Sequence, residues 1–539
     1  MKEEMFLARP SKAQYEWQDM EIGMFFHWFP KINGTWDDSR IETFEHQKEL
    51  AQTMDCPEFN PAQWVQSAKD LGAKYIVFVA KHGMGICRWR SEYGGLNFKY
   101  SPYKNGNGDP LGELAEECRK QGIRLGVYLQ GISQTYHTGG GGRAADPAKQ
   151  SEYNTIYRGW LTEILSKYGE MVEVWFDGSI TIEVGDIIKK YAPNAIVFQS
   201  KYANIRWVGQ EEGYASDPAW NSLSRIDGVT GVATQAQGNP DGDVWMPLEC
   251  DARLRRDWDY NEDPGNKLNS LDKLMEMYYR SVGHGANLLI NHAPHASGKI
   301  IDEDMQRMKE FGDEIRRRFG HPIANTSGEG TIVDLDLGGK HKVDHVITME
   351  EIAYGERIRA YSIEGFDGKC WKRLTGGISV GHKKIDFFKE TDLEKIRIKV
   401  LSNVGTPVIR SISAYYAGVT PEINEELNYG EIKIGEYGIE QYDLNTHKAQ
   451  FNYELAPYTE DAGQYRISLR GKDGSARLEI ENAWLEVNGI RCDEYVKRAD
   501  GENEFDIFIG GASGNIVFKA ESSVGEKPIQ GAAYYYRIS

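Results

Sequence analysis

At 539 residues the chain exceeds what one hydrophobic core usually supports, so two or three domains are expected. Its formal net charge of −18, with no basic stripe, argues against nonspecific nucleic-acid binding and is compatible with a neutral ligand. No apolar run is long enough to span a membrane, and the six scattered cysteines lack zinc-ligand spacing, so free thiols are expected.

From about Glu21 to Phe319, short apolar runs alternate with longer helical patterns, the signature of a βα repeat and a parallel sheet. A strand is predicted over 23–28, ending in His27 and Trp28, followed by a helix over 61–71 that opens on Pro61. The next predicted strand, 75–80, delivers Lys81 and His82 to its end. A helix over 111–121, a strand over 124–129 and a helix over 153–167 follow. The apolar positions Val172, Val174 and Phe176 predict a fourth strand, with Asp177 and Gly178 where it ends. A helix near 184–190, a strand over 195–199, and a strand over 244–248 that presents Glu249 come next. A helix over 271–282 and a strand over 286–290, ending at Asn291 and His292, complete about seven units. The economical reading is a complete or slightly degenerate (β/α)8 barrel.

Beyond about Asn325 the pattern changes to short β-branched runs separated by Gly, Asp and Asn, as in a β-sandwich: 331–337, 345–349, 358–363, 396–400 and 409–416. From about Gly418 the same style continues at 464–469, 476–481, 505–509 and 516–519. The expected division is a barrel over 1–325, a β-sandwich over 326–417 and a further β-rich domain over 418–539. Gly139–142 reads either as a mobile loop over a pocket or as a plain surface loop.

In a parallel barrel the strand ends converge on one pocket. The polar residues expected there are His27, Lys81, His82, Tyr128, Asp177, Arg206, Glu211 and Glu249, with Trp28, Trp36, Trp89, Trp175 and Trp207 nearby. Aromatic walls with a carboxylate pair suit a sugar, whose apolar face packs on a ring while polar groups bind its hydroxyls. Glycoside hydrolysis needs two carboxylates, and Asp177 with one of Glu211, Glu212 or Glu249 supplies them. No His-x-His or Glu-x-x-His pair marks a metal site, and neither metal nor cofactor is expected. Bland alternatives stand beside these readings: Trp175 as core, Arg206 paired with a carboxylate, Glu211 and Glu212 as an acidic turn, and Glu249 bridged to Arg253 or Arg255.

The order of these segments resembles glycoside hydrolase family 29, the retaining α-L-fucosidases, and within it the subgroup acting on branched α-1,3/1,4-fucosides. The likeness rests on Gly23-Met24-Phe25-Phe26-His27-Trp28, Gly72-Ala73-Lys74-Tyr75, Ala80-Lys81-His82, Trp89, Val174-Trp175-Phe176-Asp177-Gly178 and Arg206-Trp207-Val208-Gly209-Gln210-Glu211-Glu212-Gly213. Trp245, Pro247, Glu249, Trp258 and Gly283-His284-Gly285-Ala286-Asn287 continue it, and 331–416 resembles that subgroup's discoidin-like β-sandwich.

The resemblance implies an exo-hydrolase of a terminal α-L-fucoside-like sugar working by double displacement. Asp177 would be the nucleophile and Glu211 the acid/base, with His27, Trp36, Lys81, His82, Trp89, Tyr128, Trp175, Arg206 and Glu249 around the sugar. The partner would be an oligosaccharide or glycoconjugate, with no nucleic acid and no membrane. Where the family usually reads Lys-His-His-Asp-Gly-Phe, this chain has Lys81-His82-Gly83-Met84-Gly85-Ile86, and Phe29 replaces a usual Gly. A changed hydroxyl contact shifts discrimination strongly, so the expected alternatives are a related sugar such as an α-L-galactoside or a modified sugar, or a non-catalytic carbohydrate-binding homologue. The first residues lack the apolar run of a signal peptide. A cytoplasmic location is expected if the chain is complete as given, and a secreted or periplasmic one if a leader was removed.

Overall fold

The structure, a computed structural model, describes residues 7–33, 40–224, 237–419, 421, 429–437, 441–443, 448–455, 463–471, 479–499, 503–509, 516–523 and 531–537. Eight strands form its first sheet: β1 (Ile22–Phe26), β2 (Tyr75–Lys81), β3 (Arg124–Leu129), β4 (Met171–Trp175), β5 (Ile196–Phe198), β6 (Arg206–Trp207), β7 (Leu248–Arg253) and β8 (Asn287–Asn291). They lie in the order β5-β4-β3-β2-β1-β8-β7-β6, and every pairing is parallel. A parallel bridge between Phe198 and Ile205 brings the two edge strands together, giving a nearly closed barrel.

Strand alternation sorts the side chains into two cores. Phe25, Tyr75, Val77, Val79, Tyr128, Trp175, Phe198 and Leu289 cluster inside the barrel. Met24, Phe26, Ile76, Phe78, Val127, Val174 and Phe176 pack in the shell beneath the helices. Gly23 is required by this packing, because a Cβ there would stand 2.3 Å from the Tyr75 ring.

The helices follow from local signals. Helix Pro61–Leu71 has Asn60 accepting the Gln63 N–H, proline in its first turn and Gly72 at φ 97° to end it. Pro110–Gln121 repeats that scheme with Asp109 and Gly122. Gln150–Lys167, Gly185–Tyr191, Leu271–Arg280 and Asp302–Phe319 continue the ring, but among the described residues no helix joins β5 to β6 or β6 to β7. Helix Lys12–Gln18 closes the opposite end of the barrel, its Gln14 donating to the carbonyls of Asn204 and Trp245.

The expected strand over 244–248 is corrected. Val244–Trp245 forms a two-residue hairpin with Ser222–Leu223, and the barrel strand begins at Leu248. Glu249 therefore lies near the start of β7, inside the barrel, rather than at a strand end.

Beyond the barrel, six antiparallel strands follow in the order Ala324–Glu329, Val408–Tyr415, Ile332–Glu350, Lys384–Asn403, Ile358–Phe366, Trp371–Gly377. The expected strands at 331–337 and 345–349 are one 19-residue strand, whose register with its neighbour shifts twice. This sheet docks on the barrel through polar contacts: Asn221 to Glu356, His382 and Arg410 to Asp19, and Tyr279 to His345. Two further five-stranded antiparallel sheets share one apolar core that includes Phe451, Ile467, Leu485, Phe505 and Phe518.

Candidate active site

Asp177 stands just past the C-terminal end of β4, where Phe176 still donates to the Phe198 carbonyl. Its neighbours Ser179, Gln199 and Ser200 hold left-handed φ values of 69°, 56° and 89°, and the Gln199 side chain accepts the Ser179 N–H at 3.1 Å. Non-glycine residues in this region each cost about 1–3 kcal/mol, and such strain gathers where a site must be held open. The half-buried Asp177 carboxylate accepts hydrogen bonds at Oδ2 from the Tyr128 hydroxyl (2.8 Å) and the Gln130 amide (3.0 Å). Burial raises its pKa above the usual Asp value. The Tyr128 hydrogen bond opposes this, the Glu211 charge adds to it, and the Gly178 N–H opposes it.

Glu211 lies on the exposed loop after β6. Its Oε2 accepts the Trp258 indole N–H at 2.9 Å and stands 3.8 Å from the Arg253 guanidinium, which also faces the Trp258 ring. Glu212 turns instead toward Arg253 at 3.7 Å and Lys273 at 3.9 Å. Glu249 is fully buried. Of the three candidate second carboxylates, Glu211 is the one whose charge reaches Asp177.

Two histidines share this end with Tyr128. His27 Nδ1 lies 2.9 Å from Asn291 Oδ1, and Asn291 Nδ2 donates to the Trp258 carbonyl at 2.7 Å. That second bond fixes the amide orientation, so Nδ1 carries the proton and Nε2 is left as an acceptor. Burial lowers the His27 pKa to about 3 and that of His82 to about 4. His82 stacks on Tyr128 at 5.8 Å, and Trp258 lies 5.0 Å from His27. With Trp175 stacked on both Phe198 and Tyr128, the result is an aromatic site with neutral imidazoles, suited to neutral hydroxyls.

Four expected sugar contacts point elsewhere. A register shift between Val79 and Lys81 turns Lys81 outward, where its ammonium donates to the Gln130 and Ile132 carbonyls and faces Trp160. Lys81 therefore holds the loop that carries Gln130. Trp89 is buried under helix Gln150–Lys167 and donates to Glu163. Arg206, on the outer face of β6, is fully buried against the Met246 and Trp220 carbonyls, away from Asp177. Glu249 reaches Trp175 only from below. Trp36 lies outside the described residues.

Gln130, Asn291 and Arg253 were missed as contributors. The signal for Gln130 was available, since it follows Tyr128 by the strand period of two. In the run Gly139–142 the first two glycines are exposed and the last two are packed. Gly141 (φ 68°) gives its carbonyl to Thr181, and Gly142 (φ 82°) gives its own to Gln150. Among the described residues, no group of three or more His, Cys, Asp or Glu gathers to hold a metal ion.

The model of the family described as Alpha-L-fucosidase matches residues 7–318. Alpha-L-fucosidase 1 of Arabidopsis thaliana is 28% identical over 459 residues, covering 76% of this chain and 88% of its own. A candidate α-L-fucosidase from Bacteroides thetaiotaomicron VPI-5482 matches in structure with a TM-score of 0.69 at 31% identity, covering 76% of this chain and 99% of the other. A mutant family 29 fucosidase from Ruminococcus gnavus, solved in complex with fucose, gives a TM-score of 0.65 at 26% identity, covering 76% and 94%.

Proposed function

We propose, for a chain that belongs to the alpha-L-fucosidase family and is a glycoside hydrolase acting on fucosides, that it removes a terminal α-L-fucoside-like sugar with retention. The observation that carries this reading is Asp177, held by Tyr128 and Gln130 at a strand end. In the first step an Asp177 oxygen bonds to the anomeric carbon as the glycosidic C–O bond breaks, and the Glu211 proton passes to the leaving oxygen. In the second, Glu211 takes a proton from water, the water oxygen bonds to the same carbon, and the ester to Asp177 breaks. His27 accepts a sugar hydroxyl at Nε2, while Trp175, Tyr128 and Trp258 wall the ring.

The preferred sugar is shaped by the segment after β2. A Cβ at Gly83 would come within 3.0 Å of Gln130 Oε1, so Gln130 fills the space that a larger residue at 83 would claim. This supports a sugar preference distinct from that of relatives carrying histidine there. Release of nitrophenol from aryl α-L-fucoside and aryl α-L-galactoside, with NMR of the first-formed anomer, tests the reading. Retention with turnover of at least one substrate is expected; inversion, or ligand binding without turnover, would contradict it.

A Tyr128→Phe variant should lose about tenfold in kcat/KM at neutral pH, the worth of one hydrogen bond to a charged group. Its acid limb should move to higher pH, because the lost bond had favoured the ionised form of Asp177. An unmoved limb would count against Asp177 as the group that must be ionised.

A further inference from the structure

Two carboxyl groups in the barrel interior take no part in the steps above. Glu173 lies on the same face of β4 as Trp175 and Asp177, and Glu249 lies opposite on β7; both are fully buried. The Trp175 indole N–H reaches Glu173 Oε1 at 2.7 Å and Glu249 Oε1 at 2.9 Å, so the two carboxyls converge on one nitrogen. Their other oxygens accept from Trp17 (3.2 Å, Glu173) and the Tyr75 hydroxyl (3.0 Å, Glu249). All these donors are neutral, and among the described residues no lysine, arginine or histidine hydrogen-bonds to either carboxyl. The other titratable groups facing the pair are Tyr75 from β2 and Asp251 from β7, while Cys250, beside Glu249 in sequence, faces the outer shell; Asp251 accepts the Trp207 indole at 2.5 Å.

Two buried carboxylates this close, with no cation beside them, cannot both be ionised. We propose that Glu173 and Glu249 share one proton at neutral pH and act as positioning residues, fixing the Trp175 indole and, through its stacking on Tyr128, the hydroxyl that grips Asp177. The link to catalysis rests on the reading of Asp177 as nucleophile. Burial raises both acids, Glu173 to about 7 and Glu249 well above the usual value, with the Glu173 charge adding to the rise at Glu249. The raised titration and the shared proton belong to the pair rather than to either residue.

Because the folded-state pKa values are raised, folding takes up a proton here. The stability so contributed is full below the unfolded carboxylate range and is lost as pH climbs through about 7 and beyond. Glu249→Gln mimics the protonated form: its carbonyl accepts the Tyr75 hydroxyl, its amide nitrogen donates to Glu173, and the Trp175 indole N–H keeps its bond to Glu173 Oε1.

Thermal unfolding of the full chain between pH 5 and 9 should show the Tm of Glu249→Gln gaining on wild type as pH rises. A Tm difference that does not change with pH overturns the shared proton. In turnover, Glu249→Leu should lower kcat at least about tenfold with KM moving much less, and Glu249→Gln should recover most of the loss. Equal kcat in the two variants overturns the positioning role. If Glu249→Leu does not fold, the comparison of Glu249→Gln with wild type still decides the proton. That thermal comparison is independent of which carboxylate attacks the sugar, so failure of the pair and failure of the Asp177 assignment are told apart.

Discussion

An Asp177→Ala variant is expected to keep its fold and lose on the order of 10^4-fold in kcat, as removal of one member of a catalytic unit does elsewhere. The loss would be chemical rather than structural. Asp177 contributes no apolar packing to the barrel core, and its half-buried carboxylate is held against its own desolvation by Tyr128 and Gln130. Removing it relieves that cost, so the melting temperature should stay level or rise. Near-wild-type turnover would refute the nucleophile assignment, whereas a large drop in Tm would show that Asp177 is structural.

Glu211→Ala carries the second large effect, and its size depends on the leaving group. With a sugar leaving group, which needs a proton as the bond breaks, kcat/KM should fall by about 10^2–10^4-fold. With a nitrophenyl leaving group, which departs unprotonated, kcat/KM should fall far less, and deglycosylation then limits turnover. The exposure of Glu211 means that its removal leaves no cavity, and the freeing of Trp258 and Arg253 weakens both substrates alike, so the difference between leaving groups reads the proton transfer. If both substrates lost the same factor, Glu211 would not be the proton donor; Glu212, 3.7 Å from the same arginine, would become the next residue to replace.

How much of this was legible in the sequence depended on which face of each strand carried the apolar residues. Helix Pro61–Leu71 and strand Arg124–Leu129 matched the reading in full, because Pro61, Gly72 and Gly122 punctuate them. Asp177 was visible because an apolar run stops beside it. The faces of that run were not, since Val174 and Phe176 turn out to the helices while Glu173, Trp175 and Asp177 line the interior. β7 shows the same effect more strongly. Cys250 and Ala252 face outward, while Glu249, Asp251 and Arg253 face in, so a strand with an acidic inner face reads as polar. β6, only two residues long, gives no periodic signal at all. Lys81 and Arg206 were assigned to the sugar by order along the chain, but a register shift in one case and strand parity in the other send them away from it. The Gln130–Asp177 contact joins the ends of the neighbouring strands β3 and β4, and the Asn291–His27 contact joins β8 to β1 at opposite ends of the barrel sequence, so both depend on strand pairing that no local pattern reveals.

The central claim is that Asp177 forms a covalent bond to the sugar while Glu211 handles the proton. The most direct test is to inactivate the wild-type chain with a 2-fluoro-substituted fucosyl fluoride, which slows release of the glycosyl-enzyme, and to map the modified peptide by mass spectrometry. The account predicts one sugar mass on the peptide carrying Asp177, released slowly on standing. A sugar on any other residue, or steady turnover with inversion and no labelled peptide, would contradict it.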